Sequence, residues 1–124
     1  MTLTHSISIV VPVYNSEGSL GALVERLEQV LPTLAENYQA VLVNDGSRDR
    51  SWQVICQLAE AHPWMLGINL MRNYGQHNAL LCGIRAVQND IIATLDDDLQ
   101  NPPEEIARLL AKLNEGNDVV YGTP

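Results

Sequence analysis

The stretch IIATLDDDLQ, residues 91–100, decides how this chain is read. An apolar run rich in β-branched residues, Ile91 to Leu95, passes without a break into Asp96, Asp97 and Asp98. Such a run suits a strand buried on both faces, as in a parallel sheet. A carboxylate cluster at the end of such a strand sits where open parallel sheets bind ligands, beyond the carboxyl ends of the strands.

Working outward, four more segments read as strands: Ile7 to Val13, Ala40 to Asn44, Met65 to Leu70 and Asp118 to Tyr121. Between them run helical stripes. Leu20, Leu23, Val24, Leu27, Val30, Leu31 and Leu34 form the first, with Asn15 and Ser16 as caps and Pro32 expected to kink it or end it early. Trp52, Ile55, Leu58 and Ala59 form the second, fading near His62-Pro63. Leu80, Ile84 and Val87 mark the third, after Tyr74-Gly75, and Asn89-Asp90 forms a turn. Ile106, Leu109, Leu110 and Leu113 mark the fourth, opened by Pro102-Pro103 and stopped near Gly116. The order β-α-β-α-β-α-β-α-β predicts an α/β fold, a parallel sheet between helices with right-handed crossovers.

The 124 residues suffice for one domain, 1–124, and the apolar fraction of 46% for a packed core. A net charge of −8 excludes the concentrated basic face that a nucleic-acid backbone requires. Cys56 and Cys82 are not a CxxC pair and read as reduced, partly buried thiols. No signal peptide and no run of about 18 apolar residues is present, so a soluble chain is expected. The end at Thr123-Pro124, just after an apparent strand, suggests a fragment of a longer protein, whose open sheet edge would favour a homo-oligomer.

The strand ends gather the chemistry. Pro12, Tyr14 and Asn15 follow the first strand, and Asn44, Asp45 and Ser47 the second. Arg72, Asn73, Tyr74, Gln76 and His77 follow the third, and Asp96, Asp97, Asp98 and Gln100 the fourth. Neighbouring carboxylates raise one another's pKa unless a cation lies between them, and Mg²⁺ or Mn²⁺ bridges carboxylates to phosphates. The aspartates therefore read as half a metal site that a diphosphate completes. The competing reading, acidic residues serving the helix that begins near Pro103, needs fewer charges placed later. Tyr14 could stack on a base or simply cover the core edge, and Asp45 could accept from a base N–H or form a turn with Gly46. No GxxxxGKS/T and no GxGxxG follows the first strand. A pyrophosphorylase would need a basic Gly-rich loop there, and VPVYNSEGSLG has no Lys or Arg.

VVPVYNS, VNDGSRD and TLDDDLQNPPEE, with MRNYGQHNALLCGI between them, resemble the signatures of family-two inverting glycosyltransferases. The resemblance covers essentially the whole chain and is strongest to the polyprenyl-phosphate branch. It implies the Rossmann-like nucleotide-binding half of a GT-A fold. The implied reaction moves a sugar from a nucleoside-diphosphate sugar, UDP before GDP, to a polyprenyl phosphate at the cytoplasmic side of a membrane; the alternatives are a saccharide hydroxyl as acceptor, or a nucleotide-sugar-binding fragment without turnover. It implies that Pro12, Tyr14 and Asp45 hold the base and that Arg72 lies near the nucleotide. Asp96 would stand on the nucleotide and metal side, with Asp98 the main ligand of Mg²⁺ or Mn²⁺. Ser16 stands where the family usually has Glu, Asn44 where it usually has Asp, and Asp97 where this branch often has Ala.

Overall fold

The computed structural model describes residues 6–87 and 91–95. Its elements are β1 (Ser6–Val13), α1 (Leu20–Leu34), β2 (Asn37–Asp45), α2 (Ser51–Ala61), β3 (Met65–Leu70), α3 (Gln76–Arg85) and β4 (Ile91–Thr94). The strands form a sheet of order β3-β2-β1-β4, and all three neighbouring pairs are parallel. The expected helix from Pro103, the fifth strand and the Asn89-Asp90 turn lie outside the described residues.

β1 is one of the two inner strands, with β2, and Ile7 to Val13 are all buried. Its alternate residues serve two cores. Ile7, Ile9, Val11 and Val13 join the α1 stripe of Leu20, Leu23, Val24, Leu27 and Leu31, with Ile55 of α2. Val10 joins Val41, Val43, Ala79 and Val87 on the opposite side. β2 begins three residues before the apolar run that announced it, because ladder pairing of Ser6 with Asn37 does not depend on side-chain hydrophobicity.

Four details depart from the sequence reading. The N-cap of α1 is Ser19, without a side-chain cap bond, rather than Asn15 or Ser16. Pro32 lies inside α1, which continues to Leu34. Burial of Leu31 and the bonds from Ala35 N–H to Leu31 O (3.2 Å) and from Thr33 Oγ1 to Val30 O (2.6 Å) hold that last turn. On α3 the buried residues are Ala79 and Gly83, while Ile84 is 36% exposed. Small residues there let the helix approach the sheet: a Cβ on Gly83 would lie 2.4 Å from Val10 Cγ1. Finally, β4 is not buried on both faces, since Ile92 is 41% exposed. Among the described residues β4 lies at the sheet edge, beyond the β1 and β2 surface against which α3 packs.

Candidate functional site

Because the strands run parallel, their carboxyl ends share one edge. Tyr14 leaves β1 there, 43% exposed, and Asp45 ends β2 there, 4% exposed. Arg72 and Tyr74 leave β3, both exposed, with the guanidinium carbon 5.2 Å from the Tyr74 ring centroid. That spacing suits a cation–π contact. His77, also exposed, stands in the first turn of α3.

These loops are tied together mainly through backbone N–H groups. Tyr74 N–H donates to Asp45 Oδ1 at 2.8 Å. Asp45 thus anchors the loop after β3. Gly46 has φ +68°, and a Cβ there would lie 2.2 Å from the Asn73 nitrogen. Only glycine permits both that conformation and that approach. Asn44 donates through Nδ2 to Asn69 Oδ1 at 2.8 Å, and its own Oδ1 is buried with no partner among the described residues.

The loops after β1 and β2 are laced together. Asn15, at φ +49°, donates its N–H to Ser47 Oγ (3.0 Å) and accepts Arg48 N–H on Oδ1 (2.8 Å). Ser16 N–H donates to Ser51 Oγ (2.8 Å), and Glu17 N–H to Asp49 Oδ2 (3.1 Å). Ser16 Oγ donates to the Tyr14 carbonyl at 3.0 Å, so the residue standing in the usual Glu position holds its own turn. Burial pushes the Asp49 carboxyl up, but bonds from the Ser51 hydroxyl and from the Ser51 and Glu17 N–H groups together outweigh it. The net result is a pKa below the ordinary carboxylate value.

Pro12 is buried within β1, paired in register with Val43. Its missing donor falls on the β4 side. Leu95 N–H donates to Val10 O at 3.1 Å. In a parallel ladder the same residue's carbonyl then takes the N–H two positions further along the partner, here residue 12. Proline has none. Pro12 thus cannot supply the N–H that the Leu95 carbonyl would otherwise take. Asp96, Asp97, Asp98 and Gln100 themselves lie outside the described residues. Among the described residues no group of three His, Cys, Asp or Glu could hold a metal ion. Cys56 is exposed and Cys82 half-buried, and both are free.

The structure brings Asp45 onto the Tyr74 backbone and latches the turn after Tyr14 to the turn after Asp45. Two residues named at the strand ends contribute in ways the sequence reading did not give. Tyr74 enters through its N–H, which no side-chain pattern reveals. Asn15 enters through its N–H and its side-chain carbonyl, held at a positive φ, rather than as a helix cap.

The chain matches the glycosyl transferase family 2 profile over residues 8–124. It belongs to that family. It is 50% identical over 115 residues to the undecaprenyl-phosphate 4-deoxy-4-formamido-L-arabinose transferase of Shewanella sediminis (strain HAW-EB3), covering 92% of this chain and 35% of that protein. The protein of the same name from Pseudomonas fluorescens (strain Pf0-1) is 49% identical over 118 residues, or 94% of this chain and 34% of that protein. The chain thus spans about a third of the length of the relatives it matches. In fold it is similar to the mannosyltransferase PcManGT from Pyrobaculum calidifontis, solved with GDP-Man and Mn²⁺. The TM-score is 0.78 at 18% identity, over 95% of this chain and 36% of that one. It is also similar to S. aureus TarS 1-349 in complex with UDP-GlcNAc, with a TM-score of 0.70 at 19% identity, over 94% of this chain and 37% of that one. The four-stranded parallel sheet and its flanking helices are therefore a GT-A glycosyltransferase architecture.

Proposed function

We propose that residues 1–124 form the donor-binding part of an inverting glycosyltransferase that moves a sugar from a nucleoside-diphosphate sugar to a polyprenyl phosphate. The observation that carries this is the convergence of three loops on one sheet edge. Tyr14, Asp45 and the Arg72–Tyr74 loop form a single surface there, tied by the Asp45–Tyr74 bond and the Asn15 latch. The names of the relatives support undecaprenyl phosphate as acceptor and a 4-deoxy-4-formamido-L-arabinose or closely similar sugar as cargo. A lipid acceptor puts the reaction at a membrane surface, and a nucleotide-linked donor puts it on the cytoplasmic side.

In this reading Tyr14 stacks on the base, Pro12 shapes the strand end beside it, and Asp45 uses its remaining oxygen for a base N–H. Arg72 faces the diphosphate. Asp98, with Asp96, would hold Mg²⁺ or Mn²⁺. The donor set fits, since clustered carboxylates suit a hard cation, and in the sequence they follow directly on Leu95, whose N–H still bonds Val10 O. The cation, when bound, neutralises charge on the departing diphosphate. The acceptor phosphate oxygen attacks the anomeric carbon from the face opposite the leaving group. A C–O bond to the acceptor forms as the C–O bond to the nucleoside diphosphate breaks, through an oxocarbenium-like transition state with inversion. The nucleophile is already anionic, so this step asks for no general base, and His77 is not needed as one.

Calorimetric titration of UDP into the chain, in Mn²⁺ and then in EDTA with GDP as comparison, tests the reading. UDP is expected to bind in Mn²⁺ and to be lost in EDTA and in Asp98→Asn. A folded chain that binds neither nucleotide would overturn the assignment of a donor site to these residues.

A further inference from the structure

Asn15 takes no part in the chemistry above, yet it is the one described non-glycine residue with a positive φ, +49°. A left-handed residue costs little for asparagine and more for most side chains. Its neighbours show what that conformation achieves. On its amino side Val13, fully buried, fixes the end of β1, so Tyr14 is held between the sheet and Asn15. On its own side Asn15 offers an N–H and a side-chain carbonyl to two consecutive residues of the opposite turn, Ser47 Oγ and Arg48 N–H. Ser47 follows Asp45 by one glycine, and that glycine is fixed against the Asn73 backbone. Asp45 is fixed in turn by Tyr74 N–H. Few freely rotating units therefore separate Tyr14 from Asp45.

We infer that Asn15 is a positioning residue of the nucleotide site: its left-handed backbone and its two bonds to the Ser47–Arg48 turn set where Tyr14 stands relative to Asp45. This rests on reading Tyr14 and Asp45 as the nucleotide-facing pair. Both latch bonds are exposed, so their share in global stability is small. Their geometric role is separate from that share, because losing the latch lets the two contact groups move apart without unfolding either strand.

Three substitutions in the full chain, titrated with UDP in Mn²⁺, test the inference. Asn15→Asp keeps the acceptor and tolerates the left-handed conformation, and is expected to bind within about twofold of the parent. Asn15→Gly keeps the conformation and loses the acceptor. It is expected to bind roughly threefold to tenfold more weakly, the range a single lost hydrogen bond produces. Its thermal midpoint should stay within about 4 °C of the parent, as for an exposed site. Asn15→Ala loses both and should bind most weakly. Amide exchange should show Arg48 N–H faster in Asn15→Gly and near parental in Asn15→Asp. Equal UDP affinity in the parent and Asn15→Gly would overturn the role of Asn15 and leave the donor site standing. A folded parent that binds no UDP would overturn the nucleotide reading, and this inference with it.

Discussion

The two faces of the sheet are built from different materials. On one, large branched residues of β1 and β2 meet the leucines of α1 and Ile55 of α2. On the other, α3 brings Ala79 and Gly83 against Val10, Val41 and Val43. The first face buries area, and area is what stabilises. The second, among the described residues, gathers a smaller cluster but brings a helix close, and α3 begins at Gln76, just after the Arg72–Tyr74 loop at the ligand edge. The contrast teaches that, among the described residues, one face packs by large side chains while the other packs by close approach and leads into a loop at the ligand edge.

The largest effect expected from this contrast is on the first face. Leu27, fully buried, should cost about 2–5 kcal/mol when changed to alanine. Leu81→Ala on the outer side of α3, where the residue is 37% exposed, should cost no more than about 0.5 kcal/mol. Urea unfolding at unchanged m-value would check both, and equal losses would erase the distinction. Next is Gly83→Ala. It gains about 1 kcal/mol of helix propensity, yet its methyl must displace Val10 Cγ1, which is stiff at χ1. A net loss of about 1–2 kcal/mol is expected. Adding Val10→Ala makes the space, so the double variant should be more stable than the two single losses sum to. Strict additivity would show that close approach is not what glycine supplies there.

The smallest effect lies where the first face meets the loops, at Asp49. Its carboxyl titrates below the ordinary value in the folded chain, so the unfolded chain binds a proton more readily. Its contribution is therefore present above the unfolded pKa, near 3.8, and is lost as pH falls through the lowered folded value. Asp49→Asn should be less stable than the parent at pH 7 by no more than about 1 kcal/mol, since the group is largely solvated. The two should converge once the pH falls below the folded-state value. A gap that persists at low pH would mean that shape rather than charge holds the turn.

The strands were legible because each is a compact apolar run, and Met65 to Leu70 matches β3 residue for residue. The α1 stripe was legible for the same reason, since five of its seven expected positions are fully buried. The inner side of α3 was not. Hydrophobicity points to the largest residues, Leu80 and Ile84, whereas close packing selects the smallest, Ala79 and Gly83. At the site, residue types at strand ends indicated Tyr14, Asp45 and Arg72. The bond from Tyr74 N–H to Asp45 spans 29 positions and uses a group every non-proline residue owns, so no sequence pattern encodes it. Pro12, listed among the residues after the first strand, lies inside β1, one residue before its end. Its effect on the β4 side needs the register, which a sequence does not display.

The strand order also has a consequence for how the chain is made. Val10 pairs with Val41 on one side and with Thr94 on the other. During synthesis the β3-β2-β1 unit, with α1 and α2 on one face, has every partner available once Leu70 has emerged. β4 must wait for residues more than twenty positions later and close a much longer loop. Until then β1 presents a bare hydrogen-bonding edge, and nascent chains on neighbouring ribosomes would meet it before β4 does.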